Sequence, residues 1–125
     1  MPKILVADDE KALADSLVRV LAASGYEASA VYSGEEAVET AARVRPDIVI
    51  TDVSMGLMSG VVAGMMIRRI LPDCRVILFS GKVSVSTILQ EAARKGHHFE
   101  SLAKPIDPAA LLEFLSKGGS SPKAG

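Results

Sequence analysis

The chain has 125 residues, of which 49% are hydrophobic, and its 14 basic and 15 acidic side chains leave a net charge of -1. This length and composition predict one small domain with a single core. The sequence has no basic stripe that would suggest nucleic-acid binding, and no stretch approaches the roughly 18 apolar residues of a membrane-spanning helix. With no signal-peptide pattern and a single cysteine, we expect a cytoplasmic protein.

Strand and helix patterns alternate five times along the chain. Short apolar runs predict strands at 4–7, 26–31, 47–51, 75–79 and 99–103. Apolar residues at helical spacing predict a helix after each strand; Ser33 and Glu36 form a capping box before the second helix, and Asp107 caps the last. Five βα units predict an α/β fold with a doubly wound, five-stranded parallel sheet and helices on both faces, in three layers. We expect the flavodoxin-like strand order 2-1-3-4-5.

The last residues of the chain lack this pattern. Residues 1–116 are predicted to form the domain, whereas residues 117–125 are rich in Gly and Ser and have no apolar periodicity. Such composition predicts a disordered tail or linker.

Polar side chains directly follow four of the apolar runs. Asp8 and Asp9 follow the first, Asp52 the third, Ser80 the fourth and Lys104 the fifth. These groups meet at one edge, because the carboxyl ends of parallel strands lie together and ligands bind there. Three mutually repelling carboxylates favour a bound cation, and oxygen ligands suit Mg²⁺ rather than zinc. Since a lysine and a hydroxyl can bind phosphate, the set predicts phosphoryl transfer to a carboxylate.

These residues resemble the receiver domains of two-component response regulators. The resemblance extends over residues 3–116 and depends on the order and spacing of Asp8-Asp9-Glu10, Asp52, Ser80 and Lys104-Pro105. It implies that Asp52 accepts a phosphoryl group from a histidine kinase or phosphotransfer protein. The protein would then catalyse only its own phosphorylation and dephosphorylation, and would not be an enzyme with an external substrate.

The resemblance also assigns roles to the other residues of the motif. Mg²⁺ would be bound by Asp9, Asp52 and the backbone carbonyl of Ser54, with Asp8 acting through a metal-bound water. Lys104 would bridge Asp52 and the phosphoryl oxygens, and Ser80 would turn inward to bond the phosphoryl group. A cis peptide bond is implied between Lys104 and Pro105, and proline makes this isomer accessible.

The implied output is a change in protein–protein contacts. Movement of Ser80 would shift the face formed by helix 4, strand 5 and helix 5, through which a dimer could form. The partner would be a downstream protein or a fused output domain, with no direct nucleic-acid or membrane contact by this domain.

The chain departs from the family pattern at several positions. Gly56 stands where the loop after the phosphoacceptor usually carries proline, and Ser101 replaces the usual aromatic switch residue. Phe99 is the nearest aromatic and shares the strand face of Ser101 only if no bulge intervenes. Ser54 and Lys82 lie two residues after Asp52 and Ser80, and the resemblance implies that their side chains would tune the lifetime of the acyl phosphate.

Three other functions are compatible with parts of this pattern. A degenerate receiver would act as a constitutive interaction module; the missing aromatic favours that function slightly, whereas the complete set of acids, hydroxyl and lysine argues strongly against it. An aspartyl phosphatase would need a second acid where Ser54 stands, and a flavin or nucleotide binder would need a glycine-rich loop after the first strand. The Asp8-Asp9-Glu10 acids could instead only cap the first helix. His97-His98 could form a metal-binding pair, but adjacent histidines on a loop are more often solvated. Methionines 55, 58, 65 and 66 suit either adaptable packing or a partner groove.

Overall fold

The computed structural model describes residues 2–55, 58–80 and 85–117. Each predicted strand is present with bounds within one residue of the prediction. In chain order the elements are β1 (Lys3–Ala7), α1 (Lys11–Ala23), β2 (Glu27–Val31), α2 (Gly34–Val44), β3 (Ile48–Asp52), α3 (Gly60–Ile70), β4 (Arg75–Ser80), α4 (Val85–Arg94), β5 (Glu100–Ala103) and α5 (Pro108–Ser116).

The five strands form one parallel sheet in the order β2-β1-β3-β4-β5, which confirms the predicted topology. β1 and β3 are neighbours, with Ala7 opposite Thr51 at their carboxyl ends. The residues that follow this pair, Asp8 and Asp52, therefore lie side by side. The strand order reverses between these two strands, so the acids lie at the switch point where doubly wound folds bind ligands.

The core has two parts, one on each face of the sheet. β1 shows the alternation, since Leu5 packs with α2 and α3 whereas Ile4 and Val6 pack with α1 and α5. β3 is buried along its whole length. A strand that is covered on both faces needs apolar residues at successive positions, which is why its sequence reads as a continuous apolar run.

Side-chain caps fix the starts of the helices near the carboxyl edge. The Ser33 hydroxyl accepts the Glu36 N–H at 3.1 Å, as the capping box predicts. The return bond differs from the prediction, because Glu36 Oε1 accepts the N–H of Tyr32 at 2.8 Å, one residue before the cap. Asp107 caps α5 by accepting the Ala110 N–H at 3.3 Å. These caps satisfy amides that lack partners within the first turn of a helix.

An arginine joins three elements at the opposite, amino edge of the sheet. Arg75 begins β4, and its guanidinium pairs with the Glu100 carboxylate of β5 at 2.7 Å. It also donates to the backbone carbonyls of Phe114 and Leu115, each at 3.2 Å. These carbonyls belong to the last turn of α5, where a cation is favourable. Arg75 therefore fixes the end of α5 to two strands.

Lys117 ends the described chain as a turn after α5, and residues 118–125 of the predicted tail lie outside the described residues. The domain boundary at residue 116 stays a prediction. None of the helices in the described part of the chain is long and apolar enough to cross a membrane.

Candidate functional site

Three carboxylates meet at the carboxyl edge of the sheet. One oxygen from each of Asp8, Asp9 and Asp52 lies within 4.8 Å of the others. Asp8 is fully buried and Asp52 is 6% exposed, whereas Asp9 is open to solvent. Neighbouring strands bring these residues together, as the sequence predicted. The site therefore combines two buried acids with one that a ligand can reach from outside.

Lys104 provides the positive charge of this pocket. Its ammonium lies 3.0 Å from Asp8 Oδ2 and 3.4 Å from Asp52 Oδ2. The backbone N–H of Lys104 donates to the Ser80 carbonyl at 3.0 Å, which ties the end of β5 to the end of β4. The Lys104-Pro105 peptide bond is cis, and this expectation is confirmed.

The charges of the pocket shift the pKa values of its members. Burial, together with the neighbouring Asp8 carboxylate, raises the pKa of Asp52, although Lys104 and the Ser54 amide act in the opposite direction. Burial by itself would lower the pKa of Lys104, but the Asp8 and Asp52 carboxylates outweigh it and raise that pKa. Lys104 is therefore cationic at neutral pH, and ionising Asp52 costs more free energy in the folded protein than in water.

The oxygen atoms of the site fit a hard cation. Asp8 Oδ1 accepts the Glu10 N–H at 2.9 Å. Asp8 Oδ2 is buried and accepts no hydrogen bond with regular geometry among the described residues, although the Lys104 ammonium lies near it. A buried carboxylate oxygen without a donor is unfavourable unless a charge compensates it. Three carboxylates that supply only oxygen ligands are the donor type that Mg²⁺ accepts.

The backbone around Asp52 is held by the start of α3. The Gly60 N–H donates to the Val53 carbonyl at 2.8 Å. A Cβ added to Gly60 would lie 1.8 Å from the Asp52 carbonyl oxygen, so any side chain at this position would push α3 away from β3. The Ser54 N–H points back to Asp52 Oδ1 at 3.4 Å, and Ser54 is exposed beside the pocket.

The residues predicted to relay the signal lie on β4 and β5. Ser80 is 6% exposed at the end of β4. Ser101 is half-buried opposite Leu78, and Phe99 packs in the same cluster as Leu78, so the two share a face of the sheet. The Phe99 ring lies under α3, with the Arg68 guanidinium 5.2 Å from its centre. The nearest aromatic therefore contacts α3 at the amino end of β5, away from the pocket.

Lys82 and Gly56 lie outside the described residues, and the roles predicted for them stay predictions.

The site has one member that sequence reasoning did not place. Glu10 Oε1 lies 3.6 Å from the Lys104 ammonium. Glu10 is the N-cap residue of α1, but its side chain makes no capping hydrogen bond. The sequence feature that could have predicted this contact is the position of Glu10 directly after Asp8-Asp9, at the edge of the sheet that also carries Lys104.

Fold and pocket together define a doubly wound α/β domain with an acidic, lysine-containing pocket at the switch point of its sheet. The family model described as the response regulator receiver domain matches residues 4–116. The chain belongs to this family, in agreement with the resemblance drawn from its motifs.

Individual relatives agree with this membership. The chain is 31% identical to the chemotaxis protein CheY of Thermotoga maritima over 92% of its own length and 95% of that protein. It is 36% identical to the transcriptional regulatory protein PrrA of Mycobacterium leprae over 89% of its own length, but spans only 47% of PrrA. A solved response regulator from Burkholderia pseudomallei, which contains a phosphorylated aspartic acid and a calcium ion, superposes with a TM-score of 0.79 at 26% identity, over 90% of this chain and 65% of that one.

Proposed function

We propose that this chain is a phosphoacceptor domain in which Asp52 takes a phosphoryl group from the phosphohistidine of a kinase or phosphotransfer protein. The observation that carries the proposal is the burial of Asp52 beside Lys104, with Asp8 and Asp9 at the same edge of the sheet. The phosphorylated aspartic acid in the Burkholderia pseudomallei relative supports it.

The transfer makes one bond and breaks one bond. A carboxylate oxygen of Asp52 bonds to phosphorus while the phosphorus–nitrogen bond of the donor breaks, and the leaving imidazole keeps the electron pair. The Lys104 ammonium, 3.4 Å from Asp52 Oδ2, balances negative charge on the transferring group. The Ser80 hydroxyl donates to a phosphoryl oxygen once that group is in place.

Asp8, Asp9 and Asp52, with the backbone carbonyl of Ser54, are the residues that would hold Mg²⁺. When bound, the ion supplies positive charge that offsets the mutual repulsion of the acids and of an incoming phosphoryl group. The closeness of the three acids supports this assignment, because one carboxylate oxygen from each lies within 4.8 Å of the others.

The domain acts on itself rather than on an external substrate. The acyl phosphate of Asp52 is lost by hydrolysis within the same pocket. Ser54, which is exposed next to Asp52, and Lys82 are proposed to tune this rate by bordering the path of the attacking water. Comparing dephosphorylation of Lys82→Ala with the original protein tests this role, and equal rates would contradict it.

Phosphorylation is proposed to switch contacts with a downstream protein or an output domain on the same chain. The length of PrrA, about twice that of this chain, is consistent with the second arrangement. The conformational change would begin at Ser80 and reach the face of α4, β5 and α5. It would do so without an aromatic switch residue, because Ser101 stands at that position. A cytoplasmic location stays a prediction.

Intact-mass spectrometry after incubation with acetyl phosphate tests the proposal. We expect one phosphoryl adduct that requires Mg²⁺ and is absent from Asp52→Ala and in EDTA. Asp73→Ala, an exposed acid after α3, is the matched control and keeps the adduct. No adduct on folded protein, together with no binding of beryllofluoride, would contradict the proposal.

A constitutive interaction module is the second candidate. It is favoured by one observation, the placement of Phe99 under α3 rather than beside Ser80. Such a module would bind its partner equally well with and without beryllofluoride and Mg²⁺.

A further inference from the structure

The outer surface of α3 carries a row of exposed apolar side chains. Val62, Met66 and Ile70 are 42%, 39% and 38% exposed and follow one another at intervals of four residues. Residues at this spacing lie on the same face of a helix. Among the side chains that the structure describes, these three are the large apolar ones exposed to solvent. A contiguous row of this kind marks an interaction surface more often than isolated exposed residues do.

Helix α2 lies beside this row and runs in the same direction as α3. Both helices pack into one cluster, through Ala41 of α2 and Ile67 of α3. The start of α2 is level with the residues before α3, because a Cβ added to Gly34 would lie 2.7 Å from the Met58 carbonyl oxygen. We call the outer faces of these two helices the α2–α3 surface.

Charge is divided between the two ends of the α2–α3 surface. The acidic residues Glu35, Glu36 and Glu39 are exposed in the first half of α2. The basic residues Arg43 of α2 and Arg69 of α3 are exposed near the other end. The surface is therefore acidic near the carboxyl edge of the sheet and basic near the amino edge, and the apolar row runs along α3 from one end to the other.

A surface with this polarity complements itself when it is turned end for end. Met66 is the middle residue of the apolar row and lies six helical residues after Gly60, where α3 begins. Ala41, the midpoint between Glu39 and Arg43, lies seven helical residues after Gly34, where α2 begins. These distances along the two helices are about 9 Å and about 10.5 Å. Because the start of α2 is level with the residues just before α3, a two-fold axis at Met66 would bring Glu39 of one copy near Arg43 of the other. The same axis pairs Val62 of one copy with Ile70 of the second.

We propose that the α2–α3 surface is a self-association site on which a second copy of this chain packs antiparallel. Self-complementary charge favours a second copy over an unrelated partner, because an isologous contact requires each patch to match itself. The row is short, so the dimer is weak and forms at high protein concentration. This surface is distinct from the face of α4, β5 and α5 and does not require phosphorylation.

Sedimentation equilibrium over a concentration series tests the proposal on the full chain in EDTA, without a phosphodonor. We expect the average mass to rise from that of one chain toward that of two. Met66→Glu places two like charges at the axis and should keep the protein at the mass of one chain. Ala110→Glu adds the same charge at an exposed position of α5 and should leave association unchanged. Both positions are exposed, and circular dichroism checks the fold.

Charge reversal tests the orientation of the two copies. Glu39→Arg or Arg43→Glu alone creates two symmetry-related like-charge contacts and should raise the dissociation constant about tenfold at low salt. The double variant restores both contacts and should return it to the original value. The proposal would be overturned by an average mass of one chain at every concentration or by association that survives Met66→Glu. A double variant that associates as weakly as either single variant would also overturn it.

Discussion

Replacing Asp52 with asparagine should stabilise the folded protein in the absence of Mg²⁺. The pKa of Asp52 is raised by burial and by the Asp8 carboxylate. An ionised group whose pKa is raised on folding opposes folding at pH values above that pKa. A neutral amide of almost the same shape removes this opposition, although it also removes the phosphoacceptor.

The size of the gain follows from the charges around Asp52. At an effective dielectric constant of about 20, repulsion from Asp8 across at most 4.8 Å is worth about 3.5 kcal/mol or more. Attraction to the Lys104 ammonium at 3.4 Å stabilises the ionised Asp52 by about 5 kcal/mol at the same dielectric constant. Removing the carboxylate from water costs several kcal/mol more. The raised pKa shows that the unfavourable contributions exceed the attraction, so we expect a net gain of about 1–3 kcal/mol in unfolding free energy.

Urea unfolding at pH 7 in EDTA measures this difference between the original protein and Asp52→Asn. As the pH falls through the raised pKa of Asp52, both proteins become neutral at this position and the difference should fade. Added Mg²⁺ should also reduce it, because the original protein keeps the ligand that the variant lacks. Asp73→Asn, at an exposed acid, should match the original protein. An Asp52→Asn protein that is no more stable in EDTA would refute the reasoning.

Three further predictions concern the surroundings of the site and the core. Gly60→Ala should lower the unfolding free energy by about 3 kcal/mol or more and slow phosphorylation, because the new methyl would overlap the Asp52 carbonyl; circular dichroism melting and adduct formation check this. Arg75→Met should cost about 1–3 kcal/mol through loss of the Glu100 pair and the α5 carbonyl bonds, and urea midpoints equal to the original would contradict it. Burial raises the pKa of the Cys74 thiol to about 12, so at pH 8 iodoacetamide should label the protein rapidly in urea but slowly when folded.

Local sequence signals were sufficient for the architecture. Apolar runs of strand length each ended in a turn or polar residue, and their alternation with helical spacing left a doubly wound sheet as the consistent arrangement. The neighbouring positions of Asp8 and Asp52 followed from that topology. Helix caps were also predictable, because Ser33 and Asp107 act within three residues along the chain.

Contacts between distant residues were the part that sequence could not supply. Glu10 contacts Lys104 across the pocket, and the free rotation of two long side chains leaves no pattern in the chain. Strand parity allowed Phe99 to share the face of Ser101, but its position beside Gly64 of α3 depends on how α3 packs on the sheet. A Cβ at Gly64 would lie 3.1 Å from the Val76 side chain of β4 and 3.4 Å from the Phe99 ring, so α3 approaches these strands at a distance that only the folded chain defines.

The attachment of α5 by Arg75 determines where any following segment would start. α5 begins beside the pocket and returns to the opposite edge of the sheet, where Arg75 holds the carbonyls of Phe114 and Leu115. The strands between these edges are five or six residues long for β3 and β4, which corresponds to about 17–20 Å. A segment continuing from Lys117 would need about six extended residues to reach back to Asp52. A segment attached at Lys117 would therefore start at the amino edge of the sheet, a full strand length of about 17–20 Å away from the edge that carries Asp52.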